Sequence, residues 1–154
     1  MDEEKICWCL EKKEGIRLIE LKPHLSESYI KESEETFETL SSTKGKWRVI
    51  HAYYACYNAF YSLLMKCGIR CEIHDCTLEL MGLFDFKESE IEYLKTLKED
   101  RKQNQYYLKS IELNDECAVG RFILSCKTKL NELNSAKIER IREELKRLIT
   151  EEYK

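Results

Sequence analysis

The stretch Lys46–Gly68, KWRVIHAYYACYNAFYSLLMKCG, decides the fold. Its large apolar side chains, Trp47, Ile50, Tyr53, Tyr54, Tyr57, Phe60, Tyr61, Leu64 and Met65, recur at steps of three and four, which is the helical period. With apolar residues on nearly every side, such a helix has no face to give to water and belongs at the centre of a bundle. Gly68 supplies the left-handed residue that ends it. One line on this helix differs from the rest: His51, Ala55, Asn58, Ala59 and Ser62 are small or polar. Small side chains let two helices approach closely, so this line faces another helix, either in the same chain or in a twin subunit.

The flanking sequence supplies helices to surround it. Five glycines and one proline in 154 residues leave few obligatory turns, and 36% charged beside 43% apolar residues is what amphipathic helices need. Upstream, residues 1–13 read as helix, although the alternation of Ile6, Trp8 and Leu10 also fits a strand. Gly15–Leu21 reads as a short helix stopped by Pro23. From Leu25 a further helix carries Tyr29, Phe37 and Leu40 on a stripe filled in by Ser33 and Thr36, and it ends in the polar cluster Ser41–Gly45.

Downstream, Asp75 suits the N-cap of a short helix carrying Leu78, Leu80, Met81, Leu83 and Phe84. The next helix begins around Lys87 with Ile91, Leu94 and Leu97. Asn114-Asp115 caps a helix holding Val119, Phe122, Ile123, Cys126, Leu130 and Leu133. Ile138, Ile141, Leu145 and Leu148 repeat on a last amphipathic helix starting at Ser135. The expected organisation is an N-terminal segment 1–13, a helical domain 14–133 and a C-terminal helix 134–154, which either packs on its own bundle or extends a contact with a second chain.

A net charge of −3 gives no global basic field, so contact with nucleic acid would need a local patch. No stretch reaches the roughly 20 apolar residues of a membrane span, and the start Met1-Asp2-Glu3-Glu4 is acidic where a secretory signal is basic. The expectation is a cytoplasmic protein without membrane contact. Its eight cysteines are then expected as free thiols, with disulfides reserved for an intracellular protein of a hyperthermophile.

Three groups of residues could carry chemistry. Leu94, Leu97, Arg101, Asn104 and Leu108 follow at helical steps and share one face, which places Arg101 and Asn104 where burial is expected. A buried guanidinium needs a carboxylate, a phosphate or several carbonyls, because an uncompensated charge there costs roughly several kcal/mol. The pattern leaves open a pairing with an acidic residue of the bundle, a place at the rim, or a site that waits for an anion. His51 has a suitable intrinsic pKa for proton transfer, but a lone histidine on such a face is usually structural. Cys67, Cys71, His74 and Cys76 form C-x3-C-x2-H-x-C, whose donors suit zinc although the spacing matches no common finger. Packing thiols or a disulfide would explain them more simply.

Trp47-Arg48-Val49-Ile50-His51-Ala52-Tyr53-Tyr54-Ala55-Cys56-Tyr57-Asn58-Ala59-Phe60, then Gly68, His74 and Asp100-Arg101-Lys102-Gln103-Asn104-Gln105-Tyr106, together resemble the small stand-alone prokaryotic HEPN proteins. The shared features are an A-Y-Y-A block on a long central helix, a glycine turn, a histidine before a short helix and a later R-x4-6-H or R-x4-Y signature, over roughly Gly15 to Leu133. The resemblance implies an all-α, antiparallel bundle of four to five helices, here with a C-terminal helical extension. It also implies a homodimer in which the arginine signatures of both subunits meet at a cleft.

In the family's catalytic branch arginine and histidine cut RNA without a metal or other cofactor, often as toxins encoded beside a nucleotidyltransferase antitoxin. Arg101 matches the arginine, with Asn104 and Tyr106 as its companions in the motif. Tyr106 occupies the place where the histidine would most simply fall, and no histidine follows Arg101. Tyrosine, with a pKa of about 10, is a poor base, so efficient cleavage is not expected unless His51 or His74 substitutes. Lys98, Arg101 and Lys102 could still hold a phosphate. His51 and Asn58 are further cleft candidates, and Tyr106 or Tyr107 could accept a nucleotide from a partner transferase, although Leu108 stands where the modified tyrosine usually lies.

The expectation is therefore a HEPN-type component of a toxin–antitoxin or defence module that binds RNA or nucleotide, with weak or lost ribonuclease activity. The alternative is a non-enzymatic subunit that docks a nucleotidyltransferase or other protein. A metal-binding protein organised by Cys67–Cys76 trails both.

Overall fold

A computed structural model describes residues 1–152. Among these residues the chain forms α1 (Glu3–Glu11), β1 (Arg17–Leu18), α2 (Pro23–Glu38), α3 (Trp47–Cys67), β2 (Ile69–Arg70), α4 (His74–Glu79), α5 (Glu88–Tyr106), α6 (Glu116–Glu132) and α7 (Ser135–Glu152). Short 3₁₀ turns follow α2 and α4. The protein is thus an all-α bundle with one small two-stranded ribbon. No helix among the described residues is long and apolar enough to cross a membrane.

The middle of the bundle is α3. Ala52, Tyr53, Ala55, Cys56, Ala59, Phe60, Leu63 and Leu64 are fully buried, and α2, α5, α6 and α7 pack around them. Gly68 closes α3 at φ 65°, and its amide bonds back to Leu64 and Met65, as its place in the sequence predicts. Trp47, the first residue of α3, departs from the expected pattern: it lies beyond the layer of covering helices and is 53% exposed.

The small-residue line of α3 is occupied by α2 of the same chain. Ser33 donates its hydroxyl to the Ala55 carbonyl at 2.6 Å, and Ser26 donates to the Ser62 carbonyl at 2.7 Å. Both serines are buried against Ala55, Ala59 and Ser62, so the close approach needs no twin subunit. Ser26 takes the inward position on α2, whereas Leu25 is 47% exposed. Pro23 does not stop a preceding helix; it opens α2 at the first turn, where its missing N–H costs nothing.

Within Gly15–Leu21 the two residues Arg17–Leu18 form a strand, and no part of the segment is the expected helix. Arg17 pairs with Arg70 and Leu18 with Ile69 in antiparallel register, and the Ile19 amide donates to the Gly68 carbonyl at 2.8 Å. The turn before it fits against the end of α1, where a side chain at Gly15 would collide with the Cys9 carbonyl. Arg17 then donates to the carbonyls of Leu10 and Lys12 at the C-terminal end of α1. These partners lie far from one another in sequence, which a local period cannot register.

The remaining elements begin close to the expected places. Asp115 caps α6 by accepting from the Ala118 amide, and α5 starts one residue after Lys87. Helix α4 starts at His74, so Asp75 sits inside its first turn and does not cap it. Helix α7 packs on its own bundle through Ile141, Leu145 and Leu148, and Arg142 donates to the carbonyls of Ile19, Cys67 and Gly68. Residues 153 and 154, the end of the expected C-terminal segment, lie outside the described residues. Ile6 and Cys9 of α1 and Leu145 of α7 belong to the same apolar core as α3.

The cysteines are not all free. Cys9 of α1 and Cys76 of α4 form a disulfide with fully buried sulfurs, across 67 positions of sequence. The physical reason is spatial: α1, placed only by tertiary packing, lies against α4. The bond also removes Cys76 from the set that could have held zinc. Burial pushes the Cys67 thiol up to about 12 and raises Cys71 as well, so both stay protonated and poor as ligands. Among the described residues no group of three or more His, Cys, Asp or Glu is placed to hold a metal ion.

Candidate anion site at Arg101

Helix α5 buries Leu94, Leu97, Arg101 and Asn104 along one face, as their spacing predicts. Leu108 leaves that face and is 76% exposed, because α5 ends at Tyr106 and the backbone turns at Leu108 with φ 54°.

Arg101 is 7% exposed and lies among aromatic rings. Its guanidinium carbon is 4.7 Å from the centre of the Tyr53 ring, 5.6 Å from Tyr54 and 5.8 Å from Tyr106. Nη1 donates to the Tyr54 hydroxyl at 3.3 Å and to Gln105 Oε1 at 3.4 Å, both long bonds. Nε is buried and has no hydrogen-bond partner. Among the described residues no carboxylate comes within ion-pair distance of this guanidinium. A cation over a desolvated ring gains about 2 kcal/mol, whereas a buried charge costs roughly several, so the rings alone do not balance it. The guanidinium is thus buried among rings and two long hydrogen bonds without a counter-charge.

His74 stands beside it. Its Nδ1 shares a hydrogen with the Tyr53 hydroxyl at 2.6 Å, and its ring stacks on Tyr57 at 4.3 Å with the planes 11° apart. Burial, then the charges of Arg101 and Lys98, lower its pKa to about 4, so it is neutral near pH 7. Burial holds the Tyr53 and Tyr57 hydroxyls far above the usual tyrosine range, and both remain protonated. Where Tyr53 accepts the Nδ1 proton, Nε2 is left with a free lone pair; where Tyr53 donates, Nε2 carries the hydrogen.

Lys98 reaches the same corner. It pairs with Asp75 in the first turn of α4, and its pKa is lowered first by burial and then by Lys102 and Lys5. Lys102, one residue past Arg101, is half-buried and lies 3.8 Å from Glu99. Arg101 of α5 and a neutral imidazole from α4 therefore meet over the tyrosines of α3, with Lys98 close enough to lower the pKa of that imidazole.

The other candidates fall elsewhere. Asn104 is fully buried but turned to the following loop: it donates to the Ile111 carbonyl at 2.7 Å and accepts from the Ile111 amide at 2.8 Å. Its amide thus pins the loop and is not free for a substrate. His51 lies on the α2 side of α3, where Nδ1 meets the hydroxyls of Thr39 and Thr43 at 3.2 and 3.3 Å. Asn58 lies on the same small-residue line, half-buried. Tyr106 and Tyr107 are 63% and 65% exposed, so both are reachable from solvent.

Sequence reading singled out Arg101, Lys98 and Lys102, and offered His74 or His51 as a substitute for the motif histidine, but gave no means of joining them to Tyr53 and Asp75. The available signal was the spacing of Tyr53, Tyr54 and Tyr57, which puts three hydroxyl-bearing rings on one side of α3. Comparison of the chain with family models, with curated proteins and with solved structures gives no significant match.

Proposed function

We propose that the protein binds RNA through a backbone phosphate held at Arg101. The observation that carries this reading is the guanidinium itself: 7% exposed, without a carboxylate, and with Nε unpartnered. Guanidinium geometry suits two phosphate oxygens at once, and Lys98 and Lys102 add positive charge around them. The likeness to HEPN proteins, read from the A-Y-Y-A block and the Arg101 signature, supports RNA over other phosphate esters. It also supports a place in a prokaryotic toxin–antitoxin or defence module beside a nucleotidyltransferase.

His74 is the group that would take the proton of a 2′-hydroxyl as that oxygen attacks phosphorus, with Nε2 as acceptor and Tyr53 holding Nδ1–H; the P–O5′ bond breaks to leave a 2′,3′-cyclic phosphate, and the departing 5′-oxygen takes a proton from water. An imidazole with a pKa near 4 is a weak base, so cleavage is slow. A bound phosphate offsets the positive charge of Arg101 and Lys98 and raises that pKa. The reading is RNA binding with feeble, metal-independent cleavage. Pairing of two chains around this site is part of the proposal, on a face other than the small-residue line that α2 covers.

The test is to incubate the protein with total RNA in EDTA beside an Arg101→Ala variant, and to measure binding of both. Wild-type protein should bind with at least about tenfold higher affinity, as loss of a charged hydrogen-bonding group predicts, and give slow fragments that the variant does not. Identical fragments from both proteins would remove the catalytic part; equal affinity would remove the whole reading. Light scattering that finds only monomer at micromolar concentration would remove the pairing.

A further inference from the structure

One covalent bond lies behind the Arg101 site. Cys9 of α1 and Cys76 of α4 are joined, whereas Cys56, Cys67, Cys71 and Cys126, equally buried, remain thiols. Burial alone therefore does not select the pair; the seam between α1 and α4 does. Cys76 comes two residues after His74 on a helix of six. At about 100° per residue the two side chains leave α4 on opposite sides. His74 meets Tyr53 and Tyr57 of α3, and Cys76 meets Cys9 of α1. The bond thus holds α4 from behind while its front carries the imidazole of the site.

Lys5 of α1 adds a second hold, donating to the buried carboxylate of Glu79 on α4 at 2.8 Å. A helix shorter than roughly 12 residues does not stand alone in water, so the place of α4 depends on such ties and on the packing of Leu78. The clamp itself is lightly anchored: of the nine residues of α1 only Ile6 and Cys9 are buried, and Trp8 is exposed. A helix with so few buried side chains opens locally at less cost than the bundle unfolds, and that opening admits a reductant to the bond.

We propose that the Cys9–Cys76 bond is a redox switch for the Arg101 site: closed, it holds His74 against Tyr53 and Tyr57; opened by a dithiol, it releases α4 and takes the imidazole out of the site. This rests on the phosphate reading of Arg101 and adds its regulation. In the opening step a thiolate of the dithiol attacks one sulfur of the pair, the S–S bond breaks, and the other sulfur leaves as a thiolate that takes up a proton. The second thiol of the reductant then displaces the remaining protein sulfur from the mixed disulfide. Two electrons and two protons pass to Cys9 and Cys76, and the dithiol ends as a disulfide. Exchange with an oxidised dithiol reverses each step.

The test follows the His74 ring protons by NMR, assigned with His74→Gln, before and after excess dithiothreitol without denaturant. Alkylation and mass spectrometry count the two thiols gained, and circular dichroism follows helix content. Cys9→Ala/Cys76→Ala provides a form that cannot close, and RNA binding by wild-type protein and Arg101→Ala is measured beside it. The oxidised protein should titrate near 4 at His74. Reduced protein and the double variant should titrate about one unit or more higher while the bundle stays helical, and reoxidation should restore the low value. Inorganic phosphate should raise the midpoint of the oxidised protein and lose that effect on reduction. A midpoint unmoved by reduction and by the double variant overturns the switch, as does a bond that excess dithiothreitol leaves intact. Loss of helix throughout the chain on reduction also overturns it, since the bond is then a staple for the whole fold. In these cases RNA affinity that depends on Arg101 leaves the phosphate reading standing; equal affinity of wild-type protein and Arg101→Ala removes both.

Discussion

The two sides of α3 are built on different terms. Towards α2, the helix offers alanines and serines, and every buried hydroxyl there, from Ser26, Ser33 and Ser62, ends on a backbone carbonyl. Towards α4 and α5, it offers Tyr53, Tyr54 and Tyr57 to a guanidinium with an unpartnered Nε and to an imidazole held neutral. The first seam is satisfied by the chain alone. The second is not, and its covering helix α4 has six residues and is tied down by a covalent bond to α1. The first seam closes through its own contacts; the second keeps a charge without a counter-charge, and the proposed phosphate site lies there.

The strongest way to sharpen this contrast is to cut the bond. A loop with its ends 67 positions apart is worth about 4 kcal/mol when closed, so a Cys9→Ser/Cys76→Ser variant should lose about that much unfolding free energy in a urea titration. An unchanged midpoint would mean that packing alone holds α4, and the two seams would be alike in that respect.

The next largest effect compares the seams directly. Ser33→Leu forces bulk between α2 and α3 and should cost about 3 kcal/mol. Arg101→Met removes a charge that nothing in the chain neutralises and should stay within about 1 kcal/mol of wild type. If Arg101→Met unfolds the protein as readily as Ser33→Leu, the guanidinium is a structural cation and the contrast fails. Between these lies Asn104→Ala, which loses both bonds to Ile111 and should cost about 2 kcal/mol in the same titration.

A further effect is in pH dependence. In the unfolded chain His74 takes up a proton near 6.5, and in the folded chain near 4. Between those values the unfolded state binds more protons, so stability present above pH 6.5 declines as pH falls towards 4. His74→Gln should flatten this part of the profile relative to wild type; parallel profiles would show that the imidazole is not desolvated. Inorganic phosphate should raise the His74 titration midpoint, followed by NMR of the ring protons, if the anion sits beside Arg101.

Much of the fold was legible because helices advertise themselves locally. Trp47–Cys67, Glu116–Glu132 and Ser135–Glu152 follow from apolar steps of three and four, and their ends from Gly68 and Asp115. The burial of Arg101 and Asn104 followed from the same arithmetic. The strand Arg17–Leu18 did not, since its partner lies some fifty positions away and a short apolar run reads equally as one turn of helix. Trp47 and Leu108 were misplaced for a related reason: periodicity gives the face of a helix but not where the covering elements stop.

The sequence by itself determined that this chain is a helical bundle around Lys46–Gly68 and that a guanidinium enters it at position 101, because both follow from a period of 3.6 residues that neighbours enforce on each other. Only the tertiary structure decided that α2 fills the small-residue line, that Cys9 meets Cys76, that Asn104 serves a loop, and that His74 comes to lie against Tyr53 beside Arg101. Those outcomes depend on which elements pack together across tens of residues, and the free energy of such contacts is a property of complementary surfaces that no single stretch of sequence carries.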